Sequence, residues 1–131
     1  MKLDKKTGDI YFKTLRVNKD TKLDYFENNG KVKHLSTFED KKEYSLELEN
    51  DKYSYSVSFK KNIIESFSIE YIGNAKGWDS YMETIDLRVK KTREILKYFD
   101  LNDDDNIFSW GKVIYSYDPR NKTPLISIYY L

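Results

Sequence analysis

Two stretches in the middle of the chain alternate polar and apolar residues with a period of two. Over residues 43–49 the apolar set is Tyr44, Leu46 and Leu48; over 52–59 it is Tyr53, Tyr55, Val57 and Phe59. That period predicts two strands, each with one face toward a core and one toward water. Asn50-Asp51 between them suits a two-residue hairpin turn with positive φ. The turn sets Leu48 opposite Tyr53, Leu46 opposite Tyr55 and Tyr44 opposite Val57, so the apolar faces coincide. A one-residue slip would destroy the match. A third strand follows over about 64–72, with Phe67, Ile69 and Tyr71 on one face. A three-residue connection at 61–63 pairs Val57 with Phe67, Tyr55 with Ile69 and Tyr53 with Tyr71. A two-residue turn at Lys61-Asn62 would instead mix the faces. The longer loop leaves Glu65 on the apolar side, opposite Phe59.

After a polar loop at 73–79, Ser80 and Glu83 stand at capping-box spacing. Met82, Ile85, Val89, Leu96 and Phe99 then recur at helical spacing, widened by Tyr81 and Ile95. One long helix is expected over about 80–99, its apolar stripe covering a sheet. Strands resume at 107–110 and 113–117, with Gly111-Lys112 as a bulge or bend between them. The loop 118–124 is bracketed by Pro119 and Pro124, which no central strand would accept. Residues 125–130 close the chain as a hairpin partner of 113–117. Toward the N-terminus, 9–12, 15–17 and 32–38 read as strands and 21–27 as a short helix that stops near Asn29-Gly30. The expectation is a single α+β domain over residues 1–131: a mainly antiparallel sheet of seven to eight strands with one long helix packed on it.

Composition narrows the function. The 131 residues include 12 Tyr, 7 Phe and 2 Trp, one alanine (Ala75), no cysteine and one histidine, His34. The aromatic content and balanced charge argue for a compact domain rather than a disordered one. Without cysteine there is no disulfide scaffold, thiolate metal site or cysteine nucleophile. One histidine cannot build a zinc site alone, and as a catalytic base it would need a carboxylate and a facing serine. The serines at 54, 56 and 58 sit elsewhere in the strand pattern, and His34 reads as a half-buried strand residue. The stretch 100–106 starts like a calcium loop, but Asp105 stands where the turn needs glycine and Gly111 where a bidentate glutamate is required. Four Asp/Glu-x-Lys triplets among 19 lysines are the number chance supplies. No phosphate-binding glycine loop is present. No catalytic residue, metal site or cofactor is therefore expected. The opening segment has no continuous apolar stretch, so neither a secretory signal nor a membrane association is expected, and the cytoplasm is the expected location.

The net charge of +1 hides two acidic zones. One is the polar face of the central hairpin, with Glu43, Glu47 and Glu49. The other is residues 100–111, with Asp100, Asp103, Asp104 and Asp105 and no cation. Acidic zones repel phosphate and attract basic protein surfaces, so a protein partner is expected and a nucleic acid is not. Small ligand or nucleic-acid binding by an exposed aromatic sheet face is the alternative, decided by whether the aromatics of 44–71 are buried. A small enzyme with a carboxylate pair is a third reading.

Residues 8–26 (Gly8 to Phe26) form a short strand pair followed by a threonine-initiated helical turn. Residues 108–119 (Phe108 to Pro119) with Ile126, Ile128, Tyr129 and Tyr130 form a Trp-Gly hairpin near the end. This layout resembles immunity proteins of bacterial polymorphic-toxin systems, notably those of contact-dependent growth inhibition. The resemblance covers about a third of the chain and rests on structural residues. It implies a non-catalytic protein that binds and neutralises a cognate toxin C-terminal domain, often a nuclease, in the cytoplasm. Glu47, Glu49, Asp103, Asp104 and Asp105 are then the candidate toxin-binding residues, with Trp78 as an aromatic anchor.

Overall fold

The computed structural model describes residues 1–12, 15–48, 52–73, 77–103 and 105–131, with the side chains of 78 and 79 also left aside. Three short N-terminal strands, β1 (Lys2–Leu3), β2 (Ile10–Phe12) and β3 (Leu15–Val17), pair as a small sheet, β1 being an element the sequence reading missed. The helix α1 (Leu23–Asn29) leads into β4 (Lys31–Phe38), β5 (Lys41–Glu47), β6 (Tyr53–Lys60) and β7 (Ile63–Tyr71). Two helices follow, α2 (Gly77–Glu83) and α3 (Ile85–Tyr98), then β8 (Asn106–Phe108), β9 (Gly111–Asp118) and β10 (Thr123–Tyr130). The last seven strands form one antiparallel sheet in the order β4-β5-β6-β7-β10-β9-β8. The architecture is α+β, as the alternation implies.

The central register is the expected one: Tyr44 faces Val57, Leu46 faces Tyr55, and Tyr53, Tyr55 and Val57 face Tyr71, Ile69 and Phe67. The turn at Asn50-Asp51 lies outside the described residues. The β6–β7 connection differs from expectation. Lys61 and Asn62 both have positive φ (52° and 64°) and make a two-residue turn. A bulge between Ser58 and Phe59 then restores the apolar match. Phe59 consequently faces Ile64, and Glu65 swings to the polar side, where it accepts a hydrogen bond from Ser58 Oγ at 3.4 Å.

The core lies on one side of the large sheet. Phe12 stacks on Tyr55 at 5.3 Å between ring centres, and Phe26 of α1 stacks on Phe67 at 6.0 Å. Thus the small sheet and α1 seal the aromatic strands, and Tyr55, Phe59 and Phe67 are buried. From α3, Ile95 and Leu96, with Phe99 just past its end, complete the core against β7 and β10. The long helix is broken at Thr84, whose hydroxyl donates to the Ser80 carbonyl at 2.8 Å rather than capping α3. Ser80 sits inside α2 instead of starting a helix.

At the other end of the chain Trp110 occupies the β8–β9 turn, with Phe108 facing Gly111, so Gly111 begins β9 rather than interrupting it. The Trp110 indole N–H donates to the Lys5 carbonyl at 2.7 Å, and the Tyr130 hydroxyl to the Gly8 carbonyl at 2.9 Å. These two bonds tie the small sheet to the C-terminal hairpin. Pro124 lies within β10, contrary to the bracketing-loop reading. It is tolerated because pairing with β7 starts only at Ile126.

Candidate interaction surfaces

The two acidic zones do not come together. Glu47 is exposed at the end of β5, facing Lys31 of the edge strand β4. Asp103 and Asp105 are exposed on the loop before β8, at the opposite edge of the sheet. Five strand spacings of about 4.8 Å separate β5 from β8, roughly 24 Å. The zone before β8 is also partly neutralised by its neighbours. Asp103 pairs with Arg93 of α3 at 3.4 Å and Asp100 with Lys5 at 2.9 Å. Such exposed pairs contribute little stability but reduce the field a partner would meet. Glu49 and Asp104 lie outside the described residues. Trp78 is carried by α2, with its side chain outside the described set.

The helix that carries Trp78 is fixed by a cluster the sequence reading missed. Arg88 is fully buried. Its guanidinium donates to Glu70 Oε2 at 2.9 Å, to the Tyr81 carbonyl at 2.6 Å and to the Lys122 carbonyl at 3.3 Å. It also lies over the Tyr81 ring, 3.5 Å from its centre. The Tyr81 hydroxyl donates to the same Glu70 oxygen at 2.9 Å and lies 3.1 Å from the Thr123 hydroxyl. Burial pushes the Glu70 carboxyl above its ordinary range, opposed by the Tyr81 hydrogen bond and by Arg88. Nearby, Thr92 Oγ1 accepts from the Tyr71 N–H at 3.1 Å, beyond the point where β7 and β10 stop pairing. The cluster therefore plugs the gap between two parting strands and anchors α2 to both. Arg88 and Thr92 share the helix face of Ile95 and Phe99, and that phase was the signal available in the sequence.

His34 is exposed rather than half-buried, because β4 is the edge strand of the large sheet; its Nε2 lies 2.7 Å from Thr37 Oγ1. Tyr55, Phe59 and Phe67 are buried and Tyr44, Tyr53 and Tyr71 half-buried, so none of the aromatics of these described strands is the fully exposed ring that the ligand- or nucleic-acid-binding alternative favours. A cleft of about 580 Å³ opens between α1 and the tips of β5 and β6, floored by Tyr44 and Phe59. Its rim mixes Lys22, Lys42 and Lys61 with Asp24, Glu27 and Asp40, so it favours neither sign of charge.

The backbone is similar to a chain in a solved toxin complex. The structure concerned is Rhs1-CT in complex with cognate immunity protein RhsI1. The superposition has a TM-score of 0.60 and covers 99% of this chain and 86% of the other at 14% sequence identity, so the likeness is one of fold. No protein-family model and no curated protein matches the sequence. No helix among the described residues is long and apolar enough to cross a membrane.

Proposed function

We propose that this chain is a non-catalytic immunity protein that binds a cognate toxin domain, a nuclease, and neutralises it in the cytoplasm. The observation that carries this reading is the near end-to-end fold likeness to a chain of the Rhs1-CT–RhsI1 complex. The sequence resemblance of the N-terminal strand pair and the Trp-Gly hairpin to immunity proteins supports the same conclusion independently. The reagent for the test is the C-terminal domain of the protein encoded by the gene immediately upstream, which this reading expects to be the toxin. Co-expression should rescue growth from that domain's toxicity, while this chain expressed alone should be harmless. Toxicity of this chain alone, or absence of rescue, overturns the reading.

The proposed toxin contacts are Glu47 near one edge and Asp103 and Asp105 at the other, together with Glu49 and Asp104, which lie outside the described residues, and Trp78 of α2 as anchor. Because the two acidic zones are roughly 24 Å apart, they can be tested separately. Asp103→Lys with Asp105→Lys should weaken toxin binding by about ten-fold or more and reverse its decline with added salt. Calorimetry at two ionic strengths reads both effects. Unchanged affinity with unchanged salt dependence removes that loop from the interface.

A further inference from the structure

Opposite the core, the large sheet presents a second face whose residues can be read off the strand register. One row crosses all seven strands: Ser36, Glu43, Ser58, Ser66, Tyr129, Lys112 and Ile107. Two residues along, the next row is Lys33, Ser45, Ser56, Ser68, Ser127 and Ile114. None of the apolar side chains in these rows belongs to the core or packs against it, and Ile107 is 79% exposed. At the near end of the same face Phe38 and Ile63 flank Lys41 and Lys60, and they are 74% and 58% exposed. Among the described residues the face is covered at the far corner, where Tyr81 of α2 bonds Glu70 and Thr123.

The face is asymmetric about β7 in a way that makes it complementary to itself. Along the two rows β4, β5 and β6 carry serines with Glu43 and Lys33, and at the near end Phe38, Lys41 and Lys60, Lys41 pairing with Glu65 at 3.4 Å; on the other side β10, β9 and β8 carry Tyr129, Ile114, Ile107 and Lys112. A two-fold axis along β7 lays β10 over β6, β9 over β5 and β8 over β4 of a second copy. Within the two rows each bulky side chain then stands over a serine: Tyr129 over the recessed Ser58, Ile114 over Ser45 and Ile107 over Ser36 of the second copy, while Ile63 lies on the axis. The same operation sets Lys112 over Glu43 of the second copy, and this pairing occurs twice. Large against small is how two sheets interdigitate at about 10 Å spacing, and residue i meeting j while j meets i is the signature of an isologous contact. Seven strands about 4.8 Å apart and eight residues at about 3.4 Å give a face of roughly 29 by 27 Å. That is an upper bound on the order of 800 Å² per copy, reduced by the three-residue β8 and the α2 corner, against about 500 Å² per copy that a specific interface needs.

We propose that this open sheet face binds a second copy of the chain, with Lys112 against Glu43 across the two-fold. The proposal stands apart from the toxin reading and is tested without a toxin. Both residues are exposed, so exchanging them leaves the core untouched. Sedimentation equilibrium of the full chain should show a monomer–dimer equilibrium. Glu43→Lys and Lys112→Glu, each placing like charges together twice, should raise the dissociation constant about ten-fold or more. The double exchange should restore it to near the starting value. Ser56→Trp, filling the space the opposite sheet needs, should abolish the dimer, with circular dichroism confirming the fold. A monomer at all concentrations up to about 1 mM, or a dimer indifferent to the charge reversals and to Ser56→Trp, overturns the proposal.

Discussion

Replacing Arg88 by methionine should lower the stability of the domain by about 3–5 kcal/mol, a fall in melting temperature of roughly 10–20 °C for a chain of this size. The cost comes less from the lost contacts than from what stays behind. Glu70 is 7% exposed, and its carboxylate would keep only the Tyr81 hydroxyl as a donor among the bonds described. The Tyr81 and Lys122 carbonyls would also lose their guanidinium donor. Adding Glu70→Leu to the methionine variant should recover most of the loss, since an apolar pair of similar volume replaces a buried ion pair at little net cost. The pH dependence has a definite sign. A carboxyl whose folded pKa lies above its unfolded value binds more protons when folded, so stability falls as pH rises through that window. Burial already places Glu70 in this regime, and Arg88 is one of the influences that hold its pKa down. Without Arg88 the window widens upward. The deficit should therefore be largest near neutral pH and shrink at about pH 5. Urea unfolding at both pH values reads it; a loss below about 1 kcal/mol, or one independent of pH, would show that the guanidinium does not hold the strands together.

The same residue marks the limit of what hydropathy reveals. An apolar stripe read at helical spacing passes over arginine by construction, so the reading collected Met82, Ile85 and Val89, which are half-buried, and skipped Arg88 and Thr92, which are fully buried. What selects Arg88 is the parting of β7 from β10, a tertiary event that leaves polar groups needing partners and that no local pattern encodes. The break at Thr84 belongs to the same region.

Strand register was far more legible, for a physical reason. With period two, one slip turns every side chain to the wrong face, so Tyr44, Leu46, Tyr55, Val57, Phe67 and Ile69 admit a single match. How that match is achieved was not legible. One extra residue between Phe59 and Phe67 can be placed in the loop or in a bulge, and alternation constrains neither. The positive φ values of Lys61 and Asn62 put it in the bulge, which carries Glu65 to the polar side. For the proposed interaction surface, sequence supplies the candidate acidic residues but not their spacing. Charges near each other in composition ended at opposite sheet edges, because strand order, with β10 inserted beside β7, is set by the whole topology.

Gly111→Ala should cost about 4 kcal/mol. Gly111 opens β9 at φ +155°, facing Tyr130, and a Cβ there would overlap the backbone carbonyl oxygen of Tyr129. A backbone carbonyl held in a ladder cannot rotate away as a side chain can, so the end of β9 must part from β10. Trp110 and Tyr130 adjoin that point, and their bonds to the Lys5 and Gly8 carbonyls are what fasten the small sheet. Loosening should thus spread to the N-terminal strands, seen as faster amide exchange at Ile10 and Val17, which pair with each other and are fully buried. Gly77→Ala supplies the control. Gly77 also has positive φ, +76°, but a Cβ there meets nothing within 4 Å among the described residues. It should lose only the backbone strain, about 1–2 kcal/mol. Denaturant midpoints for the two variants separate the causes, provided the slopes agree. If Gly111→Ala loses no more than Gly77→Ala, the approach of the Tyr129 carbonyl is not what reserves this position for glycine.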